Sequence, residues 1–304
     1  MRETSSPREL LLGCFPDLAH RAATVVESGL DNLVLDVAGE WIVRLPRRPS
    51  VQAHISAEVA LLRELAPVLS LPVPQPQLSP SGRAPAMRYR KLAGTSADEH
   101  LARPYRLALA ARAGRFLNEL HAFPAHRAVQ LGIHAYDPLS WHEQLEIFYA
   151  RAREHAFPLL DAAEREQAAR FIEPQLAHEP AFGFTLTHGD LTPDHLLCDT
   201  TGAITGVIDW TDARIADPAV DLAWLIHGTD REFGQAVLHS YRADTCTRLL
   251  ERARFYYQIS PWHVLIFGLE HGRPDLIEKG LRDLRERLTQ SRTNRDARRR
   301  LSDP

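Results

Sequence analysis

At Gly94 the chain changes character, and that break limits its fold more than any other feature. Upstream, Ala23–Glu27, Leu33–Val37 and Trp41–Leu45 are short β-type runs separated by Gly/Asp/Asn turns, a hairpin pattern. Ile55, Val59, Leu62 and Leu65 recur at helical spacing, which predicts an amphipathic helix over 53–66. The prolines of Leu71–Pro76 end it and force extended chain. A turn at Ser79–Gly82 then leads into a last strand, Met87–Leu92. Downstream, alanine- and leucine-rich helical patterns cover 104–121, 141–155 and 162–177. Three short β-type runs follow (184–187, 195–198, 204–208), and helices resume from Ala219 to about Leu288. The expected class is α+β: a small β-rich N-terminal lobe over 1–92, a larger mainly helical lobe over 93–290, and an Arg-rich tail over 291–304 without periodicity, expected to fray.

A chain of 304 residues is long enough for one large domain or for two lobes with a real apolar core between them. Its net charge of −3 and pI near 6.6 give no electrostatic footprint for nucleic acid. No apolar run approaches the ~18 residues that a bilayer span needs, and the N-terminus lacks a signal-peptide core. Cys14, Cys198 and Cys246 are odd in number and unpaired in pattern. These features predict a cytoplasmic protein with free thiols, no membrane partner and no obligate protein partner.

The densest polar cluster is Thr187-His-Gly-Asp-Leu-Thr-Pro-Asp-His195, followed by Gly206-Val-Ile-Asp-Trp210. Apolar β-type runs bound both segments, so their polar residues belong on loops at strand ends. The strand before Asp209 can pair with the strand after His195, which would bring Asp190, His195 and Asp209 to one point. A carboxylate that takes a hydroxyl proton, beside ligands for a hard cation, is what phosphoryl transfer asks of a protein. A His-Gly-Asp triplet alone is usually a solvated turn; the second acid on a following strand makes this one a candidate site.

These two motifs, with Asp217-Pro218 and Asp221-Leu-Ala223, resemble the aminoglycoside/macrolide phosphotransferase superfamily of antibiotic kinases. The resemblance spans roughly residues 20–290. It implies a bilobal protein-kinase-like fold and transfer of the γ-phosphoryl of ATP or GTP to a small-molecule hydroxyl. By it Asp190 is the catalytic base, His195 and Asp209 are Mg²⁺ ligands, and Asp221 supports the catalytic loop. Asn often stands in that family where His195 stands here, and imidazole is a softer ligand than an amide oxygen.

The upstream half fits the same resemblance. Ser28, Gly29 and Asn32 lie in the place of the nucleotide-covering loop, where a plain hairpin turn is the simpler reading. Arg44 stands where a lysine is expected, paired with Glu58 of the helix. Tyr89 to Gly94, with Lys91, is the lobe connector whose backbone reads the purine. The resemblance thus implies a nucleoside triphosphate and a small antibiotic as partners.

For the acceptor the residues disagree. Trp41–Arg48, Leu120–Pro124 and Ile208–Pro218 look most like macrolide 2′-phosphotransferases; Tyr89–Gly94 looks like the aminoglycoside 2″-enzymes. The aromatic segment Phe255–Phe267 offers surface for a macrolide, and Asp230, Glu232 and Glu270 offer charge for an aminoglycoside. Two rival classes stay open at this point: a metallohydrolase using His188, Asp190, His195 and Asp209, and a nucleotide-binding module without turnover.

Overall fold

A computed structural model of the chain describes residues 6–26, 32–80, 85–177, 182–241 and 248–302. Its architecture is α+β, with the sheet in the N-terminal region and helices dominating after it. Two compact units divide the chain: Met1–Ala135 with Phe184–Asp244, and Tyr136–Gly183 with Thr245–Pro304.

The first unit opens with α1 (Pro7–Cys14). Ser6 and Glu9 close a reciprocal capping box around Pro7, and Leu11 and Cys14 face inward. Strands β1 (Ala23–Val26), β2 (Asn32–Val37) and β3 (Trp41–Pro46) form an antiparallel meander joined by β5 (Met87–Arg90) and β4 (Gln77–Leu78), in the order β1-β2-β3-β5-β4. The pairings Val34↔Arg44 and Arg44↔Met87 put Arg44 mid-sheet. Helix α2 (Pro49–Leu65) starts with proline and buries Ile55 and Val59 against Met87.

After the connector, β6 (Thr95–Ser96) pairs with β8 (Leu196–Cys198), which pairs antiparallel with β9 (Ile204–Val207). The expected pairing after His195 is therefore present. Helices α3 (Arg106–His121) and α4 (Ala125–Gln130) precede the passage into the other unit. On return, β7 (Thr185–Thr187) pairs with β10 (Arg214–Ala216), and α7 (Ala219–His227) and α8 (Arg231–Ser240) complete the unit.

The second unit contains α5 (Pro138–Arg151), extended by a π-helical turn through Ala156, then α6 (Ala162–Leu176), α9 (Leu249–Glu270) and α10 (Pro274–Ser302). Phe148, Ile172, Phe255, Trp262, Leu265 and Leu284 are in its core. The tail expected to fray continues α10 to Ser302. Arginine is a good helix former, and no Gly or Pro interrupts 291–302. Cys14 and Cys198 are buried thiols, and Cys246 lies outside the described residues. Among the described residues no helix is long and apolar enough to cross a membrane.

Candidate active site

Everything that builds the site belongs to the first unit. β7 delivers Thr187 and His188 into the interior, both fully buried. The His188 ring bonds the Ile208 carbonyl through Nε2 at 2.9 Å and lies 4.7 Å from the Trp210 ring. His188 thus ties the two polar segments together rather than facing an acceptor. Burial drives its pKa down, so the ring is held neutral. Gly189 follows with φ +87, and the chain turns to present Asp190 at the surface.

The Asp190 carboxylate is half-exposed, yet its pKa is pushed up to about 6. Desolvation by the surrounding protein is the largest cause. Asp212, Asp209 and Asp194 add repulsion, and His195 opposes the rise. A poised carboxylate of this kind suits general-base work near neutral pH.

A short 3₁₀ turn, Pro193–His195, brings His195 back to the same point. Its Nδ1 meets the Asp190 carbonyl oxygen at 2.6 Å and Thr192 Oγ1 at 3.2 Å. A carbonyl only accepts, so Nδ1 carries a proton and donates it there. Nε2 faces Asp209 Oδ2 at 3.8 Å. Burial works against a charged ring, but Asp209 and Asp190 outweigh it and raise the His195 pKa.

Asp209 follows β9 with φ +63, in the left-handed region that few residues other than glycine enter. Its Oδ1 accepts from Arg44 Nη2 and Thr211 Oγ1, both at 3.2 Å, which leaves Oδ2 turned toward His195. Desolvation pushes this carboxyl up, and the charges of Arg44 and His195 more than offset it, so its pKa is lowered.

Arg44 and Glu58 form the buried ion pair that their positions predict, at 2.8 Å. Arg44 is 5% exposed and Glu58 7%. Arg44 also bonds Thr211 Oγ1, and Asn32 Nδ2 reaches the same hydroxyl at 3.5 Å. Tyr89 is buried beside the pair, and burial pushes its hydroxyl up to about 12. Arg44, Glu58, Tyr89, Asn32, Asp209, His195 and Asp190 therefore make one connected cluster. Lys91 is elsewhere: its amine bonds Asp36 at 2.6 Å, and its backbone N–H donates to the Glu40 carbonyl. Ser28 and Gly29 lie outside the described residues.

Two free donor atoms can take a cation here, His195 Nε2 and Asp209 Oδ2. The Nδ1 tautomer leaves the Nε2 lone pair available, and Oδ2 is the carboxylate oxygen that Arg44 does not use. Among the described residues no three His, Cys, Asp or Glu side chains gather as a metal cage. Two protein ligands with the rest from phosphate oxygens is the pattern that suits Mg²⁺, so the residues fit that ion.

Sequence reasoning passed over Thr211, the hydroxyl on which Asn32, Arg44 and Asp209 converge. It also passed over His121, which bonds the buried Asp221 at 3.1 Å. Asp221 in turn accepts the backbone N–H groups of His188 and Gly189, both at 2.8 Å. The acids considered for a polycation are all paired: Asp230 and Glu232 with Arg106, Glu270 with Arg151. In the aromatic segment, Phe255, Ile259, Trp262, Leu265 and Ile266 are core residues. Tyr256 is half-buried and meets Trp141 edge-on at 5.9 Å; Tyr136 and Phe182 flank the same indole.

Known proteins resemble the chain along most of its length. The sequence pattern of the Phosphotransferase enzyme family (APH) matches residues 22–256. Viomycin phosphotransferase of Streptomyces vinaceus is 26% identical over 234 residues, 73% of this chain and 79% of that protein. The GDP and kanamycin complex of APH(2″)-IIIa superposes with TM-score 0.83 at 25% identity, covering 92% of this chain and 97% of that one. The macrolide 2′-phosphotransferase MphH from Brachybacterium faecium superposes with TM-score 0.67 at 26% identity, covering 85% and 90%.

Proposed function

The chain belongs to the Phosphotransferase enzyme family, and within it we propose an antibiotic kinase that moves the γ-phosphoryl of ATP or GTP to a sugar hydroxyl of its acceptor. The protein is an enzyme with the protein-kinase-like α+β fold. One observation carries the rest: Asp190, His195 and Asp209 converge from two loops onto the buried Arg44–Glu58 pair.

Each residue has a role that its surroundings support. Asp190 takes the proton of the acceptor hydroxyl, its raised pKa matching it to neutral pH. His195 Nε2 and Asp209 Oδ2 would hold Mg²⁺, which would neutralise charge on the phosphate oxygens. Arg44, fixed by Glu58, presents a permanent cation toward the phosphates. Asn32 approaches the same hydroxyl as Arg44, and the backbone of the connector after Tyr89 would read the base. A metallohydrolase would leave the Arg44–Glu58 pair without a task, and a lapsed kinase would not keep both acids.

For the acceptor, a macrolide is the first reading. Asp230, Glu232 and Glu270 are already neutralised by arginines, which leaves less free negative charge for a polycation. An aminoglycoside is the second, favoured by the similarity to APH(2″)-IIIa and by the acids around Asp190. The test is mass spectrometry of erythromycin- and kanamycin-type acceptors incubated with protein, Mg²⁺ and ATP or GTP. A phosphorylated macrolide, absent with Asp190→Asn, is the expected result. A phosphorylated aminoglycoside would replace the acceptor and keep the mechanism, and nucleotide binding without any product would overturn the reading.

A further inference from the structure

Behind the loop that carries Asp190 runs a buried chain of polar groups that ends at Tyr241, the residue after α8. Tyr241 OH lies 2.8 Å from His121 Nδ1, and His121 Nε2 lies 3.1 Å from Asp221 Oδ2. Asp221 then accepts the N–H of His188 through Oδ2 and of Gly189 through Oδ1, each at 2.8 Å. Tyr241, His121 and Asp221 are all buried. The carboxylate stays ionised despite burial, because the His121 bond and the backbone N–H groups hold its pKa down. An ionised carboxylate only accepts, so His121 Nε2 bears the proton. Nδ1 is left to pair with the Tyr241 hydroxyl.

The sequence carries a matching signal on α3. Gly114, Asn118 and His121 are spaced four and three apart, on one face of the helix. A β-carbon at 114 would stand 2.4 Å from the Val237 carbonyl, so only glycine lets α8 approach this closely. Asn118 Nδ2 bonds the Ser240 carbonyl at 2.7 Å. His121, one turn on, receives Tyr241 at the end of α8, ring edge to ring face at 5.5 Å. The stripe docks the end of α8 and aims the imidazole at the first turn of α7, where Asp221 sits.

We propose that His121 and Tyr241 are positioning residues for phosphoryl transfer, setting through Asp221 the backbone that presents Asp190. The inference rests on the role given to Asp190 above. Neither side chain touches the reacting atoms. Each fixes the orientation of the next: Tyr241 holds the His121 ring, His121 fixes the Asp221 carboxylate plane, and Asp221 fixes two consecutive peptide N–H groups. Asp190 is the next residue along.

The test compares His121→Phe, His121→Gln and Tyr241→Phe with the wild type in kcat, nucleotide KM and amide exchange of the 186–190 peptide. His121→Phe is expected to lower kcat by about 10- to 100-fold, the scale of a small misplacement of a catalytic group. Nucleotide KM should stay within about twofold, because Arg44, Glu58 and Asp209 are untouched. Exchange at 186–190 should quicken, and His121→Gln, which keeps a donor for Asp221 and an acceptor for Tyr241, should recover most of both. A folded His121→Phe with wild-type kcat overturns the proposal, as does a kcat loss matched by an equal change in nucleotide KM. If His121→Phe does not fold, Tyr241→Phe decides: unchanged kcat and exchange overturn it. Should the wild type phosphorylate no acceptor, the kinase reading fails separately. The exchange arm still decides the relay, quickened exchange supporting it and unchanged exchange sinking it.

Discussion

Gly189 lies so close to Asp212 that a β-carbon on it would stand 2.2 Å from the Asp212 carbonyl oxygen. Its φ of +87 is also closed to most side chains. Two independent constraints thus demand glycine immediately before Asp190. Gly189→Ala is expected to lower stability by about 1–3 kcal/mol and to displace the loop. Its kcat should fall at least tenfold, roughly the cost of a 1 Å shift or less. Urea unfolding and steady-state kinetics check both, and wild-type kcat in the variant would refute the constraint.

The Arg44–Glu58 pair separates stability from activity. Arg44→Met leaves a buried carboxylate unpaired, a loss of about 3–5 kcal/mol. Removing both charges in Arg44→Met/Glu58→Leu should return most of that stability, since apolar replacements of a buried pair are tolerated. Activity should stay absent in the double variant, because no cation then faces the phosphates. Chemical denaturation together with a transfer assay distinguishes the two effects.

Asp209 combines a left-handed backbone with a ligand carboxylate. Asn tolerates that conformation, so Asp209→Asn should fold, with a modest loss of stability at neutral pH from the charge that Arg44 and His195 favour. It loses the charge offered to Mg²⁺, and Mg²⁺-nucleotide affinity should fall by tenfold or more, an order of magnitude expected for one lost hard ligand. Calorimetric titration with and without Mg²⁺ reads this out; equal affinity would remove Asp209 from the metal site.

Asp190 is expected to reduce stability at neutral pH. Its folded pKa of about 6 exceeds the unfolded value near 4, so the unfolded state loses its proton first as pH rises. The contribution to stability is fully present below pH 4 and lost as pH rises through 6. In metal-free protein, Asp190→Asn should therefore melt above wild type at pH 7.5, with the difference closing by pH 4. A variant that melts lower at pH 7.5 would contradict the desolvated placement of Asp190.

The candidate site was legible because most of its residues are contiguous. His188–His195 and Gly206–Trp210 place acids, imidazoles and turn glycines within short spans bounded by apolar strands. Arg44 and Glu58 were legible by strand and helix position. Thr211 was not, since a threonine beside Trp210 carries no charge or period; it matters only once β2 and β3 bring Asn32 and Arg44 to it. Strand β10 is three residues long, too short for alternation to register. The start of α1 was overlooked although Ser6-Pro7-Arg8-Glu9 spells its capping box. His121 passed as one letter of a helix end, because its partners Asp221 and Tyr241 are 100 and 120 residues away.

The division of the chain has an evolutionary corollary. Every side chain of the candidate transfer site, from Asn32 to Asp221, comes from one unit, and the stretch 136–183 is inserted into that unit while 245–304 follows it. Drift, grafting or wholesale replacement of those two stretches leaves the phosphoryl-transfer constellation intact. Such an arrangement is a chassis: sequence change within 136–183 or 245–304 alters none of the side chains from which the candidate site is built.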